Sequence, residues 1–241
     1  MFRFSPHTLN RVSDVSRQLE QAAKAMHPVI LQSLNQTSFK ARQEVNNNAS
    51  QVFQHPTRLI RNAAYVKPAK QAEPFTVVHI KQQPFNGGTH SPADVLLPHV
   101  EGGKRLSKGL EIGLRARQLL GRLQGKGIPR NTHFVPGAGA ELNKFGNLTP
   151  AKVKRILNET KRPGGKFFMW IPDGSRYPLV MHQKSKQATP EIALVGVAPP
   201  QYKKRFAFHA IVEQTFAKHY TSTLHQRLDA LLPDQKLNSP R

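Results

Sequence analysis

Apolar residues recur every three or four positions at both ends of the chain, which is the spacing of an amphipathic helix. Near the N-terminus the pattern predicts one helix from Leu9 to Met26, which His27-Pro28 should break or kink. A second helix should run from Pro28 to Phe53, and a short helix from Thr57 to Ala63 should follow. A closing helix is predicted over residues 204–232. Its apolar stripe comprises Val212, Phe216, Tyr220, Leu224 and Leu231.

Short apolar and β-branched runs in the middle of the chain predict strands. These runs cover residues 75–81, 133–135, 166–171, 177–181 and 192–197. Turn residues separate the last three, which predicts an antiparallel meander. The fold class is therefore α+β: an antiparallel sheet of about four to five strands packed with helices, and long amphipathic helices at both ends. Because Phe168 and Trp170 alternate with other apolar residues, the strand through them should be covered on both faces, by a helix and by either another element or another subunit.

The region between residues 85 and 165 carries further elements. Residues 85–103 are rich in glycine and proline, which predicts a loop or an extended arm. Residues 104–123 predict a basic helix, and Thr149 and Pro150 are typical N-cap and first-turn residues of another. The segment Gly137-Ala138-Gly139 predicts a tight turn close to another backbone, since no helix opens from it as in a phosphate-binding loop.

These elements divide the chain into three predicted parts. Residues 1–63 form an N-terminal helical arm, and residues 64–232 form an α+β core. The core includes the basic insertion over residues 85–165. Residues 233–241 form a flexible tail.

The charge of the chain indicates the kind of partner that it binds. The 36 lysines and arginines outnumber the 14 acidic residues and give a formal net charge of +22, spread over the whole sequence. Such an excess calls for counter-charge from nucleic acid, an acidic membrane surface or acidic neighbouring subunits. No stretch approaches the length of an apolar membrane span, so we expect no membrane partner.

Two basic clusters are the candidate contacts with nucleic acid or with an acidic partner. One lies on the helix predicted at 104–123, and the other at the start of the closing helix, where cations oppose the positive end of the helix dipole. The alternative is that these faces are solvated or meet a neighbouring subunit. The candidate residues are Lys104, Arg105, Lys108, Arg115, Arg117, Arg122, Lys203, Lys204 and Arg205.

The residues that usually carry catalysis are scarce or poorly spaced. The chain has no cysteine, which excludes a thiolate nucleophile or metal ligand. Its 11 histidines include no pair one helical turn apart, and most acidic residues stand singly among lysines and arginines. We therefore predict no catalytic, cofactor or metal site, and a protein that is not an enzyme. A nuclease or another enzyme is the most distant alternative.

Three stretches together resemble a known family. The first comprises the helices over Leu9–Gln54, with Arg58–Arg61 and Tyr65–Lys67 after them. The second comprises Val135–Gly137 and Leu142–Thr149. The third comprises the strand through Trp170, then Ser175–Leu179, Val195–Pro199, Gln201–Phe206 and the closing helix. In this order they are similar to the minor tail protein Z, or tail-completion, group of lambda-like bacteriophages and related prophage proteins. This chain is longer than the lambda-type protein, mainly through residues 85–165.

The resemblance implies a non-enzymatic virion protein, assembled in the host cytoplasm, that forms a ring at the end of the tail facing the head. Its expected partners are further copies of the chain and the portal, connector or tail subunits. The resemblance brings no functional residues to carry over. The competing interpretation is a sequence-independent DNA-binding protein of phage packaging.

Overall fold

The computed structural model describes residues 6–84, 90–119, 128–129, 131–160, 162 and 164–231. Its helices are α1 (Pro6–Val52), α2 (Arg58–Arg61), α3 (Pro92–Val100), α4 (Gly109–Leu119), α5 (Pro150–Glu159) and α6 (Phe208–Leu231). Its strands are β1 (Ala64–Lys67), β2 (Val77–Ile80), β3 (Gly103–Lys104), β4 (His133–Pro136), β5 (Phe167–Trp170), β6 (Leu179–His182), β7 (Glu191–Val197) and β8 (Gln201–Tyr202). The predicted α+β class is confirmed.

The described part of the chain divides into two compact units. The first combines residues up to Asn48 with Ala64–His79 and the segment from Ala207 onward, and the second combines Ala49–Ala63 with Ile80–Phe206. These units do not follow the predicted segments 1–63 and 64–232, since the first unit takes residues from both ends of the chain. The predicted tail at 233–241 lies outside the described residues.

Helix α1 corrects the prediction of two N-terminal helices. It continues through Pro28 over 47 residues. A proline inside a helix lacks one amide donor and ordinarily bends or ends the helix. Here the helix continues on both sides of Pro28. The buried positions of the first unit's part of α1 follow a four-residue repeat. The positions of this repeat are Val29, Ser33, Thr37, Ala41 and Val45, and Ser38 is buried beside it.

Hydroxyl side chains make this repeat possible. The Ser33 hydroxyl donates to the Val29 carbonyl at 2.7 Å, and the Thr37 hydroxyl donates to the Ser33 carbonyl at 2.9 Å. Each hydroxyl finds its partner one turn back in the same helix, so it can be buried at little cost. Two of the five positions in the repeat are therefore polar residues, which an apolar pattern alone does not mark.

Three elements complete the first unit. Strands β1 and β2 form a two-stranded sheet. The side-chain amide of Asn35 ties α1 to the segment after β1, because it donates to the Ala69 carbonyl at 3.0 Å and accepts the Ala69 amide at 2.7 Å. Helix α6 meets α1 through polar pairs, including the Arg227 guanidinium and the Gln32 side chain at 2.6 Å.

The second unit is built on a four-stranded antiparallel sheet with the order β4-β7-β6-β5. This confirms the predicted meander of β5, β6 and β7. Residues 75–81 were also predicted to belong to this sheet. That prediction was wrong, because β2 pairs with β1 in the two-stranded sheet instead. Helices α4 and α5 contribute to one apolar core with the sheet. Its buried members are Leu110, Leu114, Ile128, Phe134, Ile156, Phe167, Val180, Ala193 and Leu194.

Strand β5 is covered on one face only. Phe167 is fully buried in the core, and Met169 packs against the same core. Trp170 points to the other face and is 51 % exposed. The predicted cover on the side of Phe167 is confirmed, and cover of Trp170 on the other side by another subunit stays a prediction.

Three predicted boundaries also need correction. Residues 85–103 were predicted as a loop, but α3 occupies Pro92–Val100, because Ser91 and Asp94 form a reciprocal capping box and Pro92 opens the first turn. Helix α4 begins at Gly109 rather than at 104, and residues 103–104 form β3 instead. Helix α6 begins at Phe208 rather than at 204.

The tight turn at Gly137–Gly139 is confirmed. A Cβ atom on Gly137 would lie 2.4 Å from the Ile192 carbonyl oxygen, and one on Gly139 would lie 2.6 Å from the Glu191 Cβ. Both glycines donate backbone hydrogen bonds to β7, to Ala193 and Ile192 at 2.9 Å each. The glycines are thus required by the close approach of the two backbones and form no phosphate-binding loop.

Candidate basic interface

The two predicted basic clusters meet at a short strand pair of the second unit. Strand β3 pairs with β8 in antiparallel register, with Gly103 opposite Tyr202 and Lys104 opposite Gln201. Lys104 ends β3, and Lys203 and Lys204 follow β8 directly, so all three lysines belong to this strand pair or adjoin it. All three lysines are exposed. We call this set, Lys104, Lys203 and Lys204, the lysine ladder.

The backbone around the lysine ladder is fixed by glycine and by packing. Gly102 has a φ of +82°, a conformation that favours glycine. The Lys204 side chain passes this residue, since its Cγ lies 3.5 Å from the position of a Cβ on Gly102. The cations are therefore held on a defined turn, while their ammonium groups remain available to an external anion.

Arg205 is also exposed, but its side chain contacts other residues of the second unit. Its Nε donates to the Nδ1 of His99 at 3.1 Å, and its guanidinium lies 4.7 Å from the centre of the Phe53 ring. The amides of Arg205 and Phe206 both donate to the His99 carbonyl, at 2.9 and 3.0 Å. Arg205 thus holds the segment after β8 against α3, while the residue itself is exposed, so its role as a surface contact stays a prediction.

His99 is the centre of this anchor. Its ring makes edge contacts with Phe53 at 5.1 Å and with Tyr202 at 4.5 Å between ring centres. Burial, together with the charge of Arg205, lowers the pKa of His99 to about 4. The imidazole is therefore neutral near pH 7, and its Nδ1 can accept the hydrogen bond from Arg205. The capping box at Ser91 was the sequence signal for the helix that carries His99.

Arg105 is committed to the interior. It forms a salt bridge with Glu111, whose side chain is 1 % exposed. Burial alone would raise the pKa of Glu111, but the hydrogen bonds from Arg105 and from the amides of Phe134 and Lys108 outweigh it and lower the pKa. Arg105, a predicted external contact, therefore neutralises a buried carboxylate, and its own side chain is 11 % exposed.

The remaining predicted contacts belong to α4 or lie beyond it. Lys108 precedes the helix, and burial together with the charge of Arg105 lowers its pKa. Arg115 lies on the helix, and its Nε donates to the Glu111 carbonyl at 3.3 Å. Arg122 and the side chain of Arg117 lie outside the described residues. The lysine ladder also does not lie at the start of α6, so the predicted conflict with that helix dipole does not arise.

The second unit also contains a cavity of about 630 Å³. Helices α4 and α5, β4 and the segment 146–148 surround it, with Leu110, Phe134 and Leu194 among its apolar walls. A volume of this size would admit a small molecule. Its one carboxylate is that of Glu111, which is already occupied by Arg105 and two amides.

Other described groups give no separate chemical centre. No three His, Asp or Glu side chains among the described residues stand close enough together to hold a metal ion. Carboxylates of the second unit pair with cations, as Glu141 does with Lys152 at 2.6 Å and Glu191 with Lys184 at 2.9 Å. Within the described ranges, no helix combines the length and apolar character that crossing a membrane requires.

Comparison of the chain with models of known protein families, with curated proteins and with solved structures found no match.

Proposed function

We propose that this protein is a structural subunit of the head–tail junction of a tailed bacteriophage, a tail-completion, neck or connector ring protein that helps to join tail to head. The family resemblance of the sequence supports a role in the particle of a tailed bacteriophage. The observation that carries a role in assembly is the incomplete burial of the two long helices, which leaves apolar surface for neighbours to cover.

This surface lies at specific places. In α1, none of the described side chains between residues 15 and 28 is buried, and Val15 and Met26 are 54 % and 42 % exposed. In α6, no described side chain from 216 to 230 is buried, although Phe216, Tyr220 and Leu224 lie in this stretch. A subunit whose helices pack on neighbours would show this pattern, because partner surfaces complete its core.

Purification of particles from the phage that encodes the chain tests this role. We expect the chain in fixed stoichiometry with the portal or tail proteins, measured by quantitative mass spectrometry of gradient-purified virions. Its removal should leave separate heads and tails in electron micrographs. Absence of the chain from intact virions would overturn the proposed function.

A pair of variants then locates the joint. Val15→Glu with Met26→Glu places charge on the exposed apolar surface of α1, and we expect a folded chain that no longer enters particles. Gln21→Glu is the matched control, since it changes charge at an exposed polar position of the same helix. Normal incorporation of the double variant would move the contact elsewhere while leaving the virion role intact.

A second candidate function rests on the lysine ladder. Three exposed cations in and beside one strand pair can neutralise phosphates without reading bases. The protein would then be a sequence-independent DNA-binding protein of phage packaging. The salt dependence of DNA binding, described in the Discussion, separates this candidate from contacts with acidic subunits.

A further inference from the structure

We propose that the free edge of β5 binds an extended segment of another protein as an added β-strand, and that this segment has apolar residues flanked by acidic ones. The proposal goes beyond the role in the virion, because it assigns a binding edge and the chemistry of its partner. It does not depend on the identity of the particle.

The register of β5 shows which backbone groups are free. The amide of Gln183 donates to the Lys166 carbonyl at 2.8 Å, which makes this a hydrogen-bonded pair. Because such pairs alternate along an antiparallel ladder, Phe168 and Trp170 direct their backbone groups towards β6. The amides and carbonyls of Phe167 and Met169 therefore point away from the sheet, at its outer edge.

The composition of β5 does not block this edge. Natural edge strands commonly carry a charge, a proline or a bulge that prevents pairing with another chain. The opposite edge strand, β4, ends in Pro136. Strand β5 is an uninterrupted apolar run from Phe167 to Trp170, and the irregularity in the sheet lies between β6 and β7.

The open face of the sheet adds side-chain contacts to this edge. Trp170 lies opposite Leu179, which lies opposite Val195, so these three form one row across the strands. In the neighbouring row, Ile192 is 37 % exposed. An added strand with apolar side chains on this face would extend both rows and cover Trp170.

Charge at the two ends of β5 selects the partner. Arg162 and Lys166 are exposed at its beginning, and Arg176 is exposed in the turn after it, where Asp173 is the single acidic residue. Glu159 lies near Lys166 but is already paired with Arg155 at 2.7 Å. Acidic residues on both sides of an incoming strand would meet these cations.

The same charges disfavour a second copy of the chain. Two β5 strands paired antiparallel would bring Lys166 of each copy towards the turn that carries Arg176 in the other. Each copy also carries a net charge of +22, which opposes association. The occupant that the surface fits is therefore an acidic, apolar segment of a different protein.

Trp170 provides a direct readout, because it is the only tryptophan of the chain. The probe is a synthetic peptide with an alternating valine and threonine core flanked by glutamates, added to the full chain. We expect a saturable shift of tryptophan emission to shorter wavelength and protection from iodide quenching. A lysine-flanked version should bind about tenfold more weakly or worse, since like charges then meet at both ends.

Two further comparisons test strand pairing itself. A glutamate-flanked peptide that is N-methylated throughout its core keeps its charges but cannot donate backbone hydrogen bonds, and it should cause no shift. In the protein, Met169→Pro removes an outward amide and should abolish binding, whereas Met169→Leu should preserve it. Circular dichroism verifies that both variants are folded.

Each contrary result overturns the proposal. It fails if the glutamate-flanked peptide leaves the emission of the folded chain unchanged up to millimolar concentration. It also fails if the N-methylated peptide binds equally well, because the edge would then not be used. A concentration-dependent shift without peptide, with dimers in sedimentation, would assign the edge to a second copy of the chain.

Discussion

Arg105 and Glu111 are joined by two hydrogen bonds, from Nη2 to Oε1 at 2.5 Å and from Nη1 to Oε2 at 3.0 Å. The same carboxylate accepts the amide of Lys108 at 2.6 Å and the amide of Phe134 at 2.9 Å. One buried side chain thus fixes the segment before α4, the helix itself and the strand β4. Arg105, which the sequence predicts as a surface contact, thus pairs with a buried carboxylate.

We expect Glu111→Gln to destabilise the chain by about 3–5 kcal/mol, because it leaves the guanidinium of Arg105 without its charge partner in a largely buried place. Glu101→Gln, at an exposed position just after α3, is the control and should change stability by less than about 0.5 kcal/mol. Urea-induced unfolding measures both. Equal effects of the two substitutions would contradict the importance of the Glu111 pair.

His99 predicts a loss of stability in mild acid. Its pKa is about 4 in the folded chain and near 6.5 in the unfolded one, so protonation favours unfolding. The stabilisation is complete above pH 6.5, falls as the pH decreases towards 4 and then levels off. At about 1.4 kcal/mol per pKa unit, the loss approaches about 3 kcal/mol.

The free energy of unfolding, measured from pH 8 to pH 4, tests this dependence. His99→Asn keeps an acceptor for Arg205 but cannot titrate, so its stability should vary less over this range than that of the original chain. His225→Asn, at an exposed position of α6, should leave the profile unchanged. Parallel profiles for the original chain and His99→Asn would show that His99 is not responsible.

The two faces of β5 predict different costs for adjacent aromatic residues. Phe167→Ala removes a fully buried ring and should cost about 3–5 kcal/mol. Trp170→Ala truncates a half-exposed ring and should cost about 1 kcal/mol or less in the isolated chain. Thermal unfolding followed by circular dichroism compares them. A larger loss for Trp170→Ala than for Phe167→Ala would contradict the described orientation of the strand.

The lysine ladder predicts sequence-independent binding to DNA that weakens steeply with salt. Replacing Lys104, Lys203 and Lys204 by alanine should reduce the slope of log K against log salt by up to about 3, near 0.9 for each lost phosphate contact. Fluorescence anisotropy with two unrelated duplexes measures the slope. Alanine at the exposed Lys24, Lys70 and Lys154 removes the same charge elsewhere and should change it less. No binding at low salt would assign the ladder to an acidic protein partner.

Much of the fold follows from local signals in the sequence. The three strands of the meander alternate with turn residues, and Thr149 caps α5 by accepting the Lys152 amide at 3.2 Å, as its position predicts. The glycines at 137 and 139 mark a close approach of two backbones. These features depend on neighbouring residues and on backbone geometry, which the sequence expresses directly.

The candidate interface was less predictable, because charge alone does not show where a side chain is used. Arg105, Arg205 and Lys204 look alike in the sequence. The first pairs with a carboxylate six residues away, the second with a histidine 106 residues away, and the third stays exposed beside Gly102. The use of each cation depends on the partner that the fold brings to it, and that partner can be near or far in sequence.

By itself, the sequence determined the element types, the α+β class and the strong positive charge, because periodicity and composition are local properties of the chain. Tertiary structure decided which strands share a sheet and which face of β5 is covered. It also brought Lys104, Lys203 and Lys204 to one short strand pair and buried Glu111 beside Arg105. Such outcomes depend on contacts between residues far apart in the chain, where packing and desolvation outweigh local preference.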